Sequence, residues 1–133
     1  MTGTSRSIRT PMARVRGLGA AHSGTEHFWR QRVTAVSNLV LVLALLAVLV
    51  ATYGRDYVST LAVVGHPAVA IVLILLAISV GLHMRLGMMV IIEDYVHGEG
   101  AKLAAVIINT FFSFAVGAVA IFAILRISLR SVL

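Results

Sequence analysis

The stretch PAVAIVLILLAISVGLHMRLGMMVII, residues 67–92, decides the fold of this chain. It is longer than the run of about 20 apolar residues that a helix needs to cross the hydrocarbon core of a bilayer. Because lipid offers no partners for backbone polar groups, a spanning segment of this kind must be a helix that satisfies its own hydrogen bonds. The extra length predicts a helix that is tilted or that extends past the lipid core.

Two further apolar runs flank this stretch, one over residues 33–53 and one over residues 103–125. The sequence has no internal repeat and no alternating strand pattern. We therefore predict an all-α membrane protein whose transmembrane domain covers residues 28–130. Its three transmembrane helices are expected over about 31–53, 67–95 and 102–127. The segment 54–66 is expected to be the first loop.

The composition agrees with a bilayer as the solvent. The 133 residues are 59% hydrophobic and only 12% charged, whereas a soluble domain carries about 25% charged residues. The chain has no cysteine, which excludes disulfides, cysteine-ligated zinc and any iron–sulfur cluster ligated by this chain. If electrons pass through such clusters, another subunit must hold them.

Residues 1–27 form a basic N-terminal arm. The net charge of +6 comes mainly from six arginines before residue 33. A free basic arm could indicate nucleic acid, but an arm attached to a membrane domain marks the cytoplasmic side, so no nucleic-acid partner is expected. With the N-terminus inside, the cytoplasmic side holds seven arginines and lysines and the other side three, which favours an N-in, C-out orientation.

His83 stands out because ionisable side chains at membrane depth are rare and usually face a bundle interior. At 100° per residue, one stripe of the helix contains Ser79, His83, Gly87, Val90 and Asp94. His83 and Asp94 are separated by roughly 16 Å along the axis. The small residues of the stripe leave room for a flat ligand or a close helix. Arg85 points about 200° away from His83 and must reach the interface or pair with an anionic group.

A neutral imidazole is a good axial ligand for haem iron. The alternative is a histidine that is hydrogen-bonded to a neighbouring helix. A low-spin haem needs two axial ligands, and the sequence has no second histidine in the apolar core of another helix. If His83 binds haem, the other ligand must come from a different chain.

Polar residues near the helix ends have two interpretations each. Asp94 and Tyr95 can be ordinary interface residues, or the tyrosine hydroxyl and its neighbouring carboxylate can hydrogen-bond a quinone carbonyl and supply protons. Arg30 and Arg32 can be positive-inside anchors or can pair with haem propionates. In the first helix, Ser37 and Asn38 are expected to form interhelical hydrogen bonds.

Three motifs of this chain resemble one known family. They are H-x-x-x-G-M at residues 83–88, DYVHGE at residues 94–99 and GTEHFWRQRVTAV at residues 24–36. Together they resemble the D-type hydrophobic membrane-anchor subunit of succinate dehydrogenase (complex II). The resemblance covers about residues 15–130, and the motif of the second transmembrane helix is its most specific part.

The resemblance implies roles for individual residues. His83 matches the axial ligand of haem b and is therefore expected to bind the haem iron. Tyr95 matches the tyrosine of the ubiquinone site, and Asp94 its acidic neighbour. Arg32 matches an arginine near the haem propionates. Arg85 departs from the pattern, because an aromatic or apolar residue is expected there; a propionate and an acidic residue of the partner are both open as its counter-ion.

The resemblance also implies an assembly. This chain would be half of a heterodimeric anchor bundle with a cytochrome b-type subunit that supplies the other haem ligand. The bundle would hold an iron–sulfur subunit and a flavoprotein subunit on a bacterial inner membrane. As the anchor of succinate:ubiquinone oxidoreductase, it would help pass electrons from succinate to the quinone pool, linking the tricarboxylic acid cycle to the respiratory chain. The chain would have no catalytic activity by itself.

Three alternatives stay open at this point. An anchor of quinol:fumarate reductase would run the reaction in reverse. A small homo-oligomeric membrane transporter would need a membrane-embedded carboxylate for proton coupling, whereas all five acidic residues lie in tails, loops or helix ends. A structural adaptor would carry no cofactor.

Overall fold

The computed structural model describes Met12 and residues 22–132, with side chains at Met12 and residues 25–130. In this part of the chain the structure is helical and contains no strand. The helices are α1 (His22–Thr52), α2 (Tyr57–Gly65), α3 (Pro67–Tyr95) and α4 (Glu99–Val132). Candidate membrane spans are Thr25–Thr52, Pro67–Tyr95 and Glu99–Arg130. The predicted fold class, an all-α membrane protein with three transmembrane helices, is confirmed; its orientation stays a prediction.

Both outer helices are longer than their apolar runs. α1 begins at His22, so residues 22–27, which the sequence analysis puts in the basic arm, are helical. Its first turns are supported by an ion pair between Glu26 and Arg30, four residues apart on one face. The apolar run marks only the part of a helix that lies in lipid, whereas backbone hydrogen bonding continues into the polar headgroup region.

The expected loop over residues 54–66 contains the nine-residue helix α2. Asp56 caps this helix, because its carboxylate accepts hydrogen bonds from the backbone N–H of Val58 at 3.1 Å and of Ser59 at 3.3 Å. Hydrogen bonds from the side chain and the backbone of Ser59 lower the pKa of Asp56. A helix of nine residues is too short to span a bilayer, so the number of predicted spans is unaffected.

α3 is the central helix of the bundle. It packs against both α1 and α4, and within the described residues α1 and α4 do not contact each other. Its N-cap is His66, whose Nδ1 accepts a hydrogen bond from the backbone N–H of Ala68 at 3.3 Å. Pro67 follows in the first turn, where its missing N–H costs nothing.

Several of the side chains buried between the helices are small or polar. Among the described side chains, the buried apolar ones are Ala70, Leu76 and Ile92, and the buried polar ones are Ser79, Asn109 and Ser113. Large apolar side chains cover the outer surface of all three long helices. This is the arrangement of membrane helices, which associate through small and hydrogen-bonding residues because lipid is as apolar as leucine.

Candidate functional site

His83 is half-buried in the seam between α1 and α3. Its Nδ1 lies 3.1 Å from the hydroxyl oxygen of Thr34. The same hydroxyl lies 2.9 Å from the backbone oxygen of Arg30 and 3.0 Å from that of Gln31. One turn earlier in α3, Ser79 donates to the backbone oxygen of Thr34 at 3.4 Å. The imidazole is therefore held against the neighbouring helix through one of its two nitrogens.

The second nitrogen, Nε2, has no hydrogen-bond partner among the residues that the structure describes. A histidine that binds a metal has its other ring nitrogen held by a hydrogen bond in this way. The part of the chain with described side chains contains no group of three or more histidine, aspartate or glutamate residues that could hold a metal ion. In the described part of the chain, His83 is therefore held through Nδ1 and leaves Nε2 without a protein partner.

The predicted stripe on α3, which runs from Ser79 to Asp94, faces α1 over part of its length. A Cβ atom on Gly87 would lie 3.7 Å from Nε2 of Gln31, an ordinary van der Waals distance, so this position of the stripe faces a side chain of α1. Ser79 is buried in the same seam, whereas Val90 and Asp94 are exposed. The stripe is thus a helix contact in its first half and a free surface in its second half.

Arg85 lies on α3 between the clefts that this helix forms with α4 and with α1. Its guanidinium carbon is 5.8 Å from the centroid of the Phe114 ring, and its Nε is buried without a hydrogen-bond partner in the described part of the protein. It lines a cleft of about 250 Å³ between α3 and α4 and another of about 370 Å³ between α1 and α3. A cation–π contact does not replace the hydrogen bonds of a guanidinium, so this side chain fits an additional acceptor.

Asp94 and Tyr95 lie at the carboxyl end of α3, and both are exposed. The backbone oxygen of Tyr95 accepts a hydrogen bond from Nδ1 of His97 at 3.1 Å. Tyr95 follows His83 by twelve residues, which is roughly 18 Å along a helix axis. The polar side chains at the end of α3 and those at its middle therefore form two separate groups.

Arg32 is exposed near the start of α1, with its guanidinium carbon 4.3 Å above the centroid of the Phe28 ring. Arg30, its neighbour in sequence, is paired with Glu26. Neither arginine forms a hydrogen bond or an ion pair with His83. The guanidinium of Arg32 is exposed and lies over the Phe28 ring.

Sequence reasoning missed Thr34, Asn109 and Ser113. Asn109 donates from its side-chain amide to the backbone oxygen of Arg85 at 3.0 Å, and Ser113 is buried in the same seam. Asn109, Ser113 and Gly117 recur every four residues in an apolar run, which is a signal for a helix contact. Thr34 has no such signal in the sequence, since its role depends on which residue of α3 faces it.

The interhelical bonds expected of Ser37 and Asn38 are not found among the described residues. Ser37 donates to the backbone oxygen of Val33 within its own helix at 2.9 Å, as hydroxyl side chains inside helices commonly do. The side-chain oxygen of Asn38 is buried and has no partner in the described part. Thr34, one turn earlier than Asn38, makes the cross-helix contact instead.

The fold and the site define an integral membrane protein of three spanning helices whose central helix holds a histidine against its neighbour. A model of the succinate dehydrogenase/fumarate reductase transmembrane subunit family matches residues 6–117. The chain belongs to this family, which confirms the resemblance found in its motifs.

Two relatives carry the name succinate dehydrogenase hydrophobic membrane anchor subunit. The one from Paracoccus denitrificans is 35% identical over 123 residues, which cover 92% of this chain and 95% of the relative. The one from Rickettsia bellii is 29% identical over 106 residues, covering 80% of this chain and 85% of the relative. No solved structure matches the chain.

Proposed function

We propose that this chain is the membrane anchor of a succinate:ubiquinone oxidoreductase, that it binds haem b through His83, and that it forms part of a ubiquinone site at Tyr95. The observation that carries the proposal is the held imidazole in the middle of a spanning helix. Its Nδ1 is occupied by Thr34, and its Nε2 is free of protein partners in the described part. Membership in the family supports the same role.

Haem b would supply a one-electron carrier between the soluble subunits and the quinone. On this chain His83 would hold the iron, and Arg32 would offer a positive charge to a propionate. Arg85 offers a second guanidinium, since its buried Nε lacks a partner in the described residues. An arginine at membrane depth without an acceptor is costly, which favours a propionate or a carboxylate of the partner beside Arg85.

Tyr95 and Asp94 suit a quinone site at the helix end. Tyr95 is 76% exposed, so its hydroxyl is available to donate a hydrogen bond to a quinone carbonyl. Asp94 is exposed beside it and has contact with the aqueous side, from which protons must come when a quinone is reduced. The basic arm favours the cytoplasmic face for this end of the bundle.

The proposed partners supply the ligands that this chain does not provide. It has no cysteine for an iron–sulfur cluster, and its described residues offer one histidine at membrane depth where a low-spin haem needs two axial ligands. We infer that a cytochrome b-type anchor supplies the second ligand, and that an iron–sulfur subunit and a flavoprotein subunit bind to the cytoplasmic side of a bacterial inner membrane.

A quinol:fumarate reductase anchor is the second candidate, because the matching family includes subunits of both enzymes. The same residues would serve both directions of the reaction, since direction depends on the quinone and on the redox partners. The third candidate, a small homo-oligomeric transporter, is not supported by the family match. All five acidic side chains lie at helix ends or in the connection after α1, so none is placed for proton coupling in mid-membrane.

The test is purification of the full-length tagged chain from its native membrane, followed by a reduced-minus-oxidised visible spectrum. The proposal predicts a b-type haem that co-purifies with a flavin-containing subunit and an iron–sulfur subunit. A colourless homo-oligomer would contradict it and would favour the transporter. Assays of succinate oxidation with ubiquinone and of fumarate reduction with a low-potential quinol separate the two anchor functions.

A further inference from the structure

Either Thr34 or His83 can donate in the hydrogen bond between them, depending on the tautomer of the imidazole. A threonine hydroxyl has one proton and two lone pairs. In this structure the backbone oxygens of Arg30 and Gln31 lie 2.9 and 3.0 Å from the hydroxyl oxygen. Carbonyl oxygens can only accept, so each offers an acceptor to the hydroxyl proton within α1. With the proton directed to one of them, the contact with His83 at 3.1 Å uses a lone pair of Thr34 and a proton on Nδ1.

We infer that Thr34 is a positioning residue that fixes His83 as the Nδ1–H tautomer and so directs the lone pair of Nε2 to the haem iron. The inference rests on the proposed role of His83 as an axial ligand. A neutral imidazole has one protonated nitrogen and one free to bind a metal. Without an acceptor at Nδ1, both tautomers and more than one ring orientation become accessible.

The frame around Thr34 is rigid. Its β-branched side chain has few rotamers in a helix. Ser79 donates to the backbone oxygen of Thr34 at 3.4 Å, so two hydrogen bonds join the same residue of α1 to one face of α3. One turn further along α3, Gly87 faces the side chain of Gln31 in α1. Thr34 therefore holds the ring at a set distance from α1 as well as in one tautomer.

The hydrogen bond also has an electronic effect. An acceptor at Nδ1 increases the basicity of the imidazole as a ligand. A more basic ligand stabilises oxidised iron more than reduced iron, which lowers the midpoint potential. Removing the acceptor is therefore expected to raise the midpoint potential of the haem.

The experiment compares Thr34→Val and Thr34→Ser in the complete, membrane-extracted complex. Valine has nearly the shape of threonine but no acceptor, whereas serine keeps the hydroxyl. Ser37→Ala is the matched control, because Ser37 bonds back to its own helix and has no contact with His83. The readouts are the haem-to-flavin ratio, the low-spin spectrum and the midpoint potential from a redox titration.

For Thr34→Val we expect a more positive midpoint potential and a loss of haem affinity of about 10- to 100-fold, the usual effect of removing such a partner. Thr34→Ser and Ser37→Ala should resemble the parent complex. If the valine variant assembles poorly, Thr34→Cys replaces it, because a thiol is a much weaker acceptor of similar size. The same positive shift is then expected.

A Thr34→Val or Thr34→Cys complex with the parent potential and haem content would overturn the inference, as would an equal shift in Thr34→Ser. A parallel His83→Ala complex separates the two proposals. If His83→Ala loses the haem while valine changes nothing, only the role of Thr34 is wrong. If His83→Ala retains the parent haem spectrum, the proposed ligand itself is wrong.

Discussion

The side-chain amide of Asn109 donates a hydrogen bond to the backbone oxygen of Arg85 at 3.0 Å. This bond joins α4 to the central helix two residues beyond His83. The side chain of Asn109 is buried in the seam between the two helices. The bond therefore contributes to the packing that fixes the central helix.

Asn109→Leu should reduce the stability of the bundle, because the amide donor is lost at a buried helix contact. Interhelical hydrogen bonds in membranes contribute about 0.6 kcal/mol on average and up to about 1.7 kcal/mol, so we expect a loss in that range. The measurement is reversible unfolding of the full-length chain in detergent micelles. Asn38→Leu is the control, since the side-chain oxygen of Asn38 has no partner in the described residues. An equal loss in both variants would contradict the role given to Asn109.

Gly54 has a φ of +73°, in the left-handed region that side chains disfavour. No atom lies within 4 Å of where its Cβ would be, so a substitution there meets strain and no clash. Gly54→Ala should lower the free energy of unfolding by about 1 kcal/mol. Gly100→Ala is the matched control, because Gly100 also has open space but an ordinary helical backbone. An unchanged stability in Gly54→Ala would show that the turn can adopt another conformation at little cost.

Tyr95→Phe tests the quinone site. Loss of one hydrogen bond to the quinone should lower quinone reductase activity by roughly tenfold, the equivalent of about 1.4 kcal/mol. Succinate oxidation with a soluble acceptor should be unchanged, because that acceptor takes electrons before they reach the membrane. Tyr57→Phe is the control: Tyr57 is also 76% exposed but lies in α2. Equal loss of both activities in Tyr95→Phe would argue against a quinone contact.

The three long helices could be predicted because lipid imposes one solution on long apolar runs. The ends of these helices could not be predicted. The first turns of α1 contain polar residues such as Glu26, and a run of apolar residues therefore does not mark where the helix begins. Helix α2 lies in the segment that is expected to be a loop, because nine residues are too few for a periodic pattern to stand out. Asp56 was its one local signal, as an N-cap residue before a short apolar segment.

A residue of the candidate site could be predicted where its type alone indicates the chemistry. His83 is such a residue, because it is an ionisable side chain within a long apolar run. Thr34 is not, because its role arises from the pairing of α1 with α3, which places it 3.1 Å from an imidazole 49 positions later in the chain. Arg85 stood out as a charge, but only the fold shows that it lies over Phe114 with its Nε unpartnered among the described residues.

The central claim is that His83 is an axial ligand of haem b, and the reduced-minus-oxidised spectrum of a His83→Ala complex tests it most directly. His66→Asn is the control, because asparagine retains the N-cap that His66 provides to α3. We predict that His83→Ala abolishes or clearly perturbs the low-spin haem spectrum while His66→Asn preserves it. A His83→Ala complex with the parent spectrum and haem content would contradict the account.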